Sequence, residues 1–198
     1  MINAHDIVCF DKQVIENNDL PDWVTLSDHV FATVRRAMTD YSETLPIGLR
    51  GTARNQRFAL EIPTRMVQKV IHPWEITDRE SFRQTDIAQF PVYQQFHAAR
   101  EILSGTKWGV GGSLGFELTT DIPAVKETSD FDLLLYVDTP AGLPLKAIQS
   151  HPDFFEQFDT QVITTQGGFS LKEYLRNPEK KILLKTTEGP KLTKEIWQ

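Results

Sequence analysis

One segment constrains the fold more than any other: Ser129-Asp130-Phe131-Asp132-Leu133-Leu134-Leu135-Tyr136-Val137. From Phe131 onward it is a short, dense run of aromatic and aliphatic residues, which calls for a strand buried in a sheet. Along a strand, residues i and i+2 share a face and lie roughly 6.5–7 Å apart. Asp130 and Asp132 therefore point to one side, while Phe131, Leu133, Leu135 and Val137 turn the other side into a core. Two carboxylates so placed repel each other and lose solvation, and a divalent cation relieves both costs. Carboxylate oxygens are the hard ligands that Mg²⁺ or Mn²⁺ prefers. A two-metal site, with its ions about 3.5–4 Å apart, suits such a pair.

Periodicity and punctuation place the other elements. Residues 5–10 read as a strand. Ser27 is placed to cap a helix in which Val30, Val34 and Ala37 recur at helical spacing. Residues 57–62 alternate as a strand that Pro63 ends. The stretch 71–81 is polar and weakly periodic, so the chain divides into an N-terminal domain, 1–79, and a second domain, 80–198. Residues 91–103 form the clearest helix, with Pro91 in the first turn, Val92, Phe96, Ala99 and Leu103 on one face, and Gly105 as the stop. A glycine-rich turn follows over 108–116, then a loop leading to the aspartate strand. The rest reads as a helix within 147–157, a strand over 158–164, a turn at Gly167-Gly168, a short helix over 170–175, a strand over 181–186 and an irregular tail from Gly189. Strands and helices interleave, which indicates a mixed α/β chain.

Composition excludes several classes. Cys9 is the single cysteine, so neither an internal disulfide nor a cysteine-based zinc site is available. The five histidines are scattered and no His-Glu-x-x-His occurs. No apolar run approaches the roughly 20 residues of a membrane span. The first residues, Met1-Ile2-Asn3-Ala4-His5-Asp6, show neither a basic segment nor an apolar core, so a cytoplasmic protein is expected. The net charge of −6 argues against a general nucleic-acid coat. That charge is local, since residues 119–160 hold eight acids and two lysines and the remaining 156 residues balance.

Three further features bear on chemistry. Gly111-Gly112-Ser113 offers backbone N–H groups and a hydroxyl to a phosphate, and glycine permits the close approach. Asp159, if on a neighbouring strand, is a third carboxylate able to ligand a metal that activates a hydroxyl; alone it reads as an exposed strand residue. Arg50, Arg54 and Arg57 have no acid between them and suit either a phosphate clamp or a solvated positive face. Lys185 is a further phosphate candidate. An isolated Asp-x-Asp is common on solvated edges, but the upstream Gly-Gly-Ser and the apolar opposite face set this one apart.

A Gly-Ser loop, then Asp-x-Asp on a strand, then a later acid resembles the nucleotidyltransferase superfamily of polymerase-beta-type fold. A closer resemblance lies in Gly111-Gly112-Ser113-Leu114-Gly115-Phe116-Glu117-Leu118 with Ser129-Asp130-Phe131-Asp132-Leu133-Leu134. Phe158-Asp159-Thr160-Gln161, Gly167-Gly168-Phe169-Ser170-Leu171-Lys172-Glu173, Leu184-Lys185-Thr186 and Gly48-Leu49-Arg50-Gly51 extend it. Together these are similar to the phosphoribosyl-dephospho-CoA transferases of malonate decarboxylase, its holo-acyl-carrier-protein synthases. Sixteen residues lie between Ser113 and Asp130, an interval longer than the superfamily's usual one.

The resemblance implies an α+β protein. Residues 80–198 would take the polymerase-beta-type fold, with a mixed sheet and flanking helices, behind a smaller α/β N-terminal domain. It implies transfer from 2′-(5″-triphosphoribosyl)-3′-dephospho-CoA to a serine of the apo acyl-carrier subunit, releasing pyrophosphate, with no nucleic-acid or membrane partner. Asp130, Asp132 and Asp159 would be catalytic and hold Mg²⁺ (or Mn²⁺). Gly111, Gly112, Ser113, Arg50, Arg54, Arg57 and Lys185 would bind substrate phosphates. A different nucleotidyltransferase, using ATP or CTP or serving citrate lyase, and a non-catalytic nucleotide-binding module are the alternatives.

Overall fold

The computed structural model describes residues 1–53 and 55–197. The chain divides into two compact units, Met1–His72 and Pro73–Gln198.

The first unit is one antiparallel sheet. Its strands are β1 (Ile7–Asp11), β2 (His29–Val34), β3 (Thr44–Arg50), β4 (Arg57–Pro63) and β5 (Lys69–Ile71), in the order β4-β3-β2-β1-β5. Val8, Phe10, Ala32, Ile47 and Ile62 form its core. The helix expected from Val30, Val34 and Ala37 is instead β2. Val30, Ala32 and Val34 are buried at period two, while Phe31 and Thr33 between them are half-exposed. The same spacing satisfied both periods, and β-branched residues opposite the apolar face of β1 decide for the strand. The N-terminal α/β domain expected from the resemblance is therefore corrected to an antiparallel β unit. Among its described residues the only helical pieces are short 3-10 turns. Cys9 is buried, and burial pushes its thiol above the ordinary value, as suits an inert core residue.

The second unit carries α1 (Gln84–Ile87), α2 (Pro91–Ile102), β6 (Trp108–Val110), α3 (Gly112–Thr120), β7 (Leu133–Tyr136), α4 (Leu145–Ser150) and α5 (Pro152–Glu156). It continues with β8 (Gln161–Thr164), β9 (Gly167–Ser170), α6 (Leu171–Arg176), β10 (Ile182–Thr186) and β11 (Gly189–Thr193). The strand order is β11-β10-β9-β8-β7-β6. Only β7 and β8 run parallel, so the sheet is mixed. Parallel neighbours cannot be joined by a hairpin, and α4 and α5 make the crossover. The four residues expected on one face, Val92, Phe96 and Ala99 in α2 and Leu103 at its C-cap, are fully buried.

Four expectations in this unit are corrected. The glycine-rich turn at 108–116 is the end of β6 followed directly by α3. The helix within 147–157 breaks into α4 and α5, because Pro152 disfavours helical geometry at His151 (φ −132°, ψ 53°). The tail from Gly189 forms β11, an edge strand where Pro190 withholds no needed donor. The turn expected at Gly167-Gly168 falls on 165–166, and both glycines lie in β9. Among the described residues no helix is long and apolar enough to cross a membrane.

Candidate active site

The site is built where β6, α3 and β7 meet. The β6–β7 ladder ends at Val110 opposite Leu133, and Gly111 N–H then donates to the Asp132 carbonyl at 2.9 Å. This bond fixes the Asp132 backbone just ahead of β7. Gly112 opens α3 with φ +61°, and a Cβ built on it would lie 1.8 Å from Asp132 Oδ2. The backbone thus approaches the carboxylate too closely for any side chain. Gly115 is held as tightly, since a Cβ there would sit 2.3 Å from the Val110 carbonyl. The N-cap residue, Gly111, brings no side chain of its own to the start of α3, where the helix dipole favours an anion. Gly111, Gly112 and Ser113 are therefore the start of a helix, not a free turn.

Asp130 and Asp132 sit in the extended lead-in to β7 instead of within it, yet they keep the expected alternation. Both are exposed, while Phe131 between them is buried. The Phe131 ring meets Phe158 edge-on at 4.9 Å, and Phe158 meets Phe154 at 4.9 Å. These rings lock the Asp130–Asp132 segment to the segment bearing Asp159. Parallel pairing completes the arrangement. Leu134 is opposite Gln161, and Asp132 and Asp159 each precede that rung by two residues, so they emerge at the same edge of the sheet.

All three aspartates line one cleft of about 490 Å³, together with Glu127. No cationic side chain is among its described lining residues. On the α2 side, Gln95 Nε2 donates to Gln157 Oε1 at 3.2 Å and closes one wall. Asp159 Oδ1 accepts the Ser170 hydroxyl at 2.6 Å.

The donor set fits a hard divalent cation. Asp130 and Asp132 share a face, and the Gly112 backbone leaves Asp132 Oδ2 a cradle that a Cβ would fill. Among the described residues no three His, Cys, Asp or Glu side chains are gathered as a ready ligand set. Asp159 is engaged by Ser170, in the same cleft as the pair.

Sequence reasoning missed one group altogether. Glu117, on the buried side of α3, has no solvent exposure. Its Oε1 accepts from Ser81 Oγ (2.7 Å) and Arg83 Nε (3.2 Å). Its Oε2 accepts from Arg83 Nη2 (2.6 Å) and from the backbone N–H of Ala124 (2.8 Å) and Val125 (2.9 Å). Burial pushes its carboxyl pKa up, but these hydrogen bonds together outweigh burial and hold it below the usual carboxylate range. The loop after α3 is thereby pinned on its way to Asp130. No local signal marks this, because Arg83 and Glu117 are 34 residues apart. A second network ties Glu80 to Tyr93 and Arg100 on α2. Burial and the Glu80 hydrogen bond push the Tyr93 phenol up to about 12.

Arg50 and Arg57 face each other across the β3–β4 ladder in the first unit. Arg54 lies outside the described residues. Lys185 is exposed on β10, two strands beyond β8, and does not line the cleft.

Comparison with known proteins bears on the family of the chain. The family described as phosphoribosyl-dephospho-CoA transferase MdcG C-terminal domain matches residues 79–195, and its N-terminal domain counterpart matches residues 3–73. A phosphoribosyl-dephospho-CoA transferase of Klebsiella pneumoniae is 34% identical over 168 residues, covering 83% of this chain and 80% of the relative. One of Pseudomonas syringae pv. tomato is 30% identical over 187 residues, covering 91% and 86%. No solved structure matches.

Proposed function

This chain belongs to the phosphoribosyl-dephospho-CoA transferase family, and from that premise we propose the acceptor and the chemistry of its reaction. The donor is 2′-(5″-triphosphoribosyl)-3′-dephospho-CoA. The acceptor is a serine hydroxyl on the apo acyl-carrier subunit of malonate decarboxylase. The serine oxygen bonds to the α-phosphorus, the bond from that phosphorus to pyrophosphate breaks, and the hydroxyl proton leaves. The products are a phosphodiester-linked prosthetic group and pyrophosphate. On this reading residues 80–198 take the polymerase-beta-type nucleotidyltransferase fold, 1–79 is accessory, and the enzyme works in the cytoplasm.

The observation that carries the reading is one cleft lined by Asp130, Asp132 and Asp159, with the α3 N-terminus against Asp132. Asp130 and Asp132 hold Mg²⁺ (or Mn²⁺), which when bound neutralises charge on the triphosphate. The first turn of α3, with the Ser113 hydroxyl, binds the departing phosphates. Asp159 orients the acceptor hydroxyl and takes its proton. The acid-rich lining supports this assignment, since four carboxylates without a cation repel both each other and a triphosphate.

Incubating the protein with donor, apo carrier and Mg²⁺ should raise the carrier's intact mass by the prosthetic group and release pyrophosphate in equal amount. Leaving out Mg²⁺ should stop both. An unmodified carrier would overturn the proposal. Transfer from ATP or CTP at a matching rate would assign the chain to a different nucleotidyltransferase.

Gly112→Ala tests the cradle. A left-handed non-glycine residue costs about 1–2 kcal/mol, and the new methyl must also displace Asp132. A shift of about 1 Å in a catalytic group can cost around a hundredfold in rate. Chemical denaturation should therefore show a modest loss of stability beside a much larger loss of turnover. Equal turnover in Gly112→Ala would remove the cradle from the mechanism.

A further inference from the structure

We infer that Ser170 is a positioning residue for Asp159, an inference that rests on the proposed role of Asp159 in the cleft. Ser170 ends β9 and is the N-cap of α6. Serine is favoured at that position because its hydroxyl oxygen accepts from a backbone N–H in the first turn of the helix. Here it makes no such bond. The hydroxyl instead donates to Asp159 Oδ1 at 2.6 Å, the length of a charge-assisted bond to a carboxylate. The sequence supplies a helix cap, and the structure directs it toward the cleft.

The surrounding backbone shows what this bond alone can control. Leu171 N–H donates to the Thr160 carbonyl at 2.9 Å, and Gln161 pairs with Ser170 in the β8–β9 ladder. On the other side of Asp159, Lys172 Nζ donates to the Glu156 carbonyl at 3.0 Å, and Phe158 is buried. The main chain of 156–161 is thus tied to 170–172 on both sides of Asp159. What remains free is the rotation of an exposed carboxylate about its own side-chain bonds. Ser170 removes that freedom by holding Oδ1, so that Oδ2 is the oxygen presented to an acceptor hydroxyl.

The test is a double-mutant cycle on the full-length protein, following transfer to apo carrier and thermal unfolding. Ser170→Ala should lower kcat about tenfold or more and leave KM for the donor unchanged. Its melting midpoint should not move, because no cap bond is lost. Ser170→Thr, which keeps the hydroxyl, should restore the rate. In an Asp159→Asn background, Ser170→Ala should cost nothing further, since the two act as one unit. Equal loss in both backgrounds, or a fall in kcat that tracks a fall in melting midpoint, would overturn the inference. A slow Asp159→Asn beside a fully active Ser170→Ala would overturn it alone, and a fully active Asp159→Asn would instead overturn the reading of the site.

Discussion

Asp132→Asn is expected to abolish transfer while leaving the protein folded. Asparagine keeps the shape that fits beneath Gly112, so the β6–α3 junction has no reason to move. Asp132 is exposed, and its backbone bond to Gly111 does not involve the side chain. The change removes one negative charge from a cleft lined by four carboxylates. It also removes half of the pair proposed to hold the cation. Losing that charge stabilisation should cost at least about a thousandfold in turnover, near 4 kcal/mol at 1.36 kcal/mol per decade. Mg²⁺ should raise the melting midpoint of the wild type and not that of the variant, because a ligand stabilises only the state that binds it. Asp130→Asn should behave alike. Wild-type turnover in either variant, or an unaltered Mg²⁺ response, would sink the assignment of the pair.

The legible parts of this chain are those where one local signal had no rival. Phe131 between two aspartates fixed which way each side chain points, even though the strand itself starts later, at Leu133. Pro91 and four apolar residues at helical spacing defined α2. Where two signals competed, tertiary contacts decided. Val30 and Val34 suit a helix as well as a strand, and the apolar face of β1 chose the strand. Gly112 and Gly115 are poor helix formers and suggested a turn. Both lie in the first turn of α3, where the backbone passes too close to Asp132 and Val110 for a side chain. The cleft itself depends on β7 and β8 being parallel neighbours, a pairing that no local pattern announces. Asp159 had the right chemistry in the sequence, and its place beside Asp132 comes from that register.

Glu117→Gln is expected to destabilise the second unit strongly. The amide cannot replace the carboxylate here, because every group around it donates: Ser81, Arg83 and the N–H groups of Ala124 and Val125. An NH₂ at either oxygen's position faces an Arg83 N–H donor, and the guanidinium loses its charge partner. Breaking a buried ion pair by changing one member costs about 3–5 kcal/mol, a large part of the roughly 5–15 kcal/mol that holds a domain folded. The pH dependence has a definite sign. The folded carboxyl lies below its unfolded value, so its stabilisation is complete above the usual carboxylate range and is lost as pH falls through the folded pKa. Urea midpoints of wild type and variant should therefore differ widely at neutral pH and converge in acid. The amides of Ala124 and Val125 should also exchange faster in the variant. A neutral-pH midpoint equal to the wild type's would refute this. The consequence reaches the cleft through the interval between Ser113 and Asp130. Residues 114–120 complete α3, and 121–129 are the loop whose course Glu117 sets through Ala124 and Val125. One helix thus brings its first residues against Asp132 and, from its buried side, fixes the approach to Asp130. Loosening Glu117 should lower turnover even under conditions where the variant remains folded.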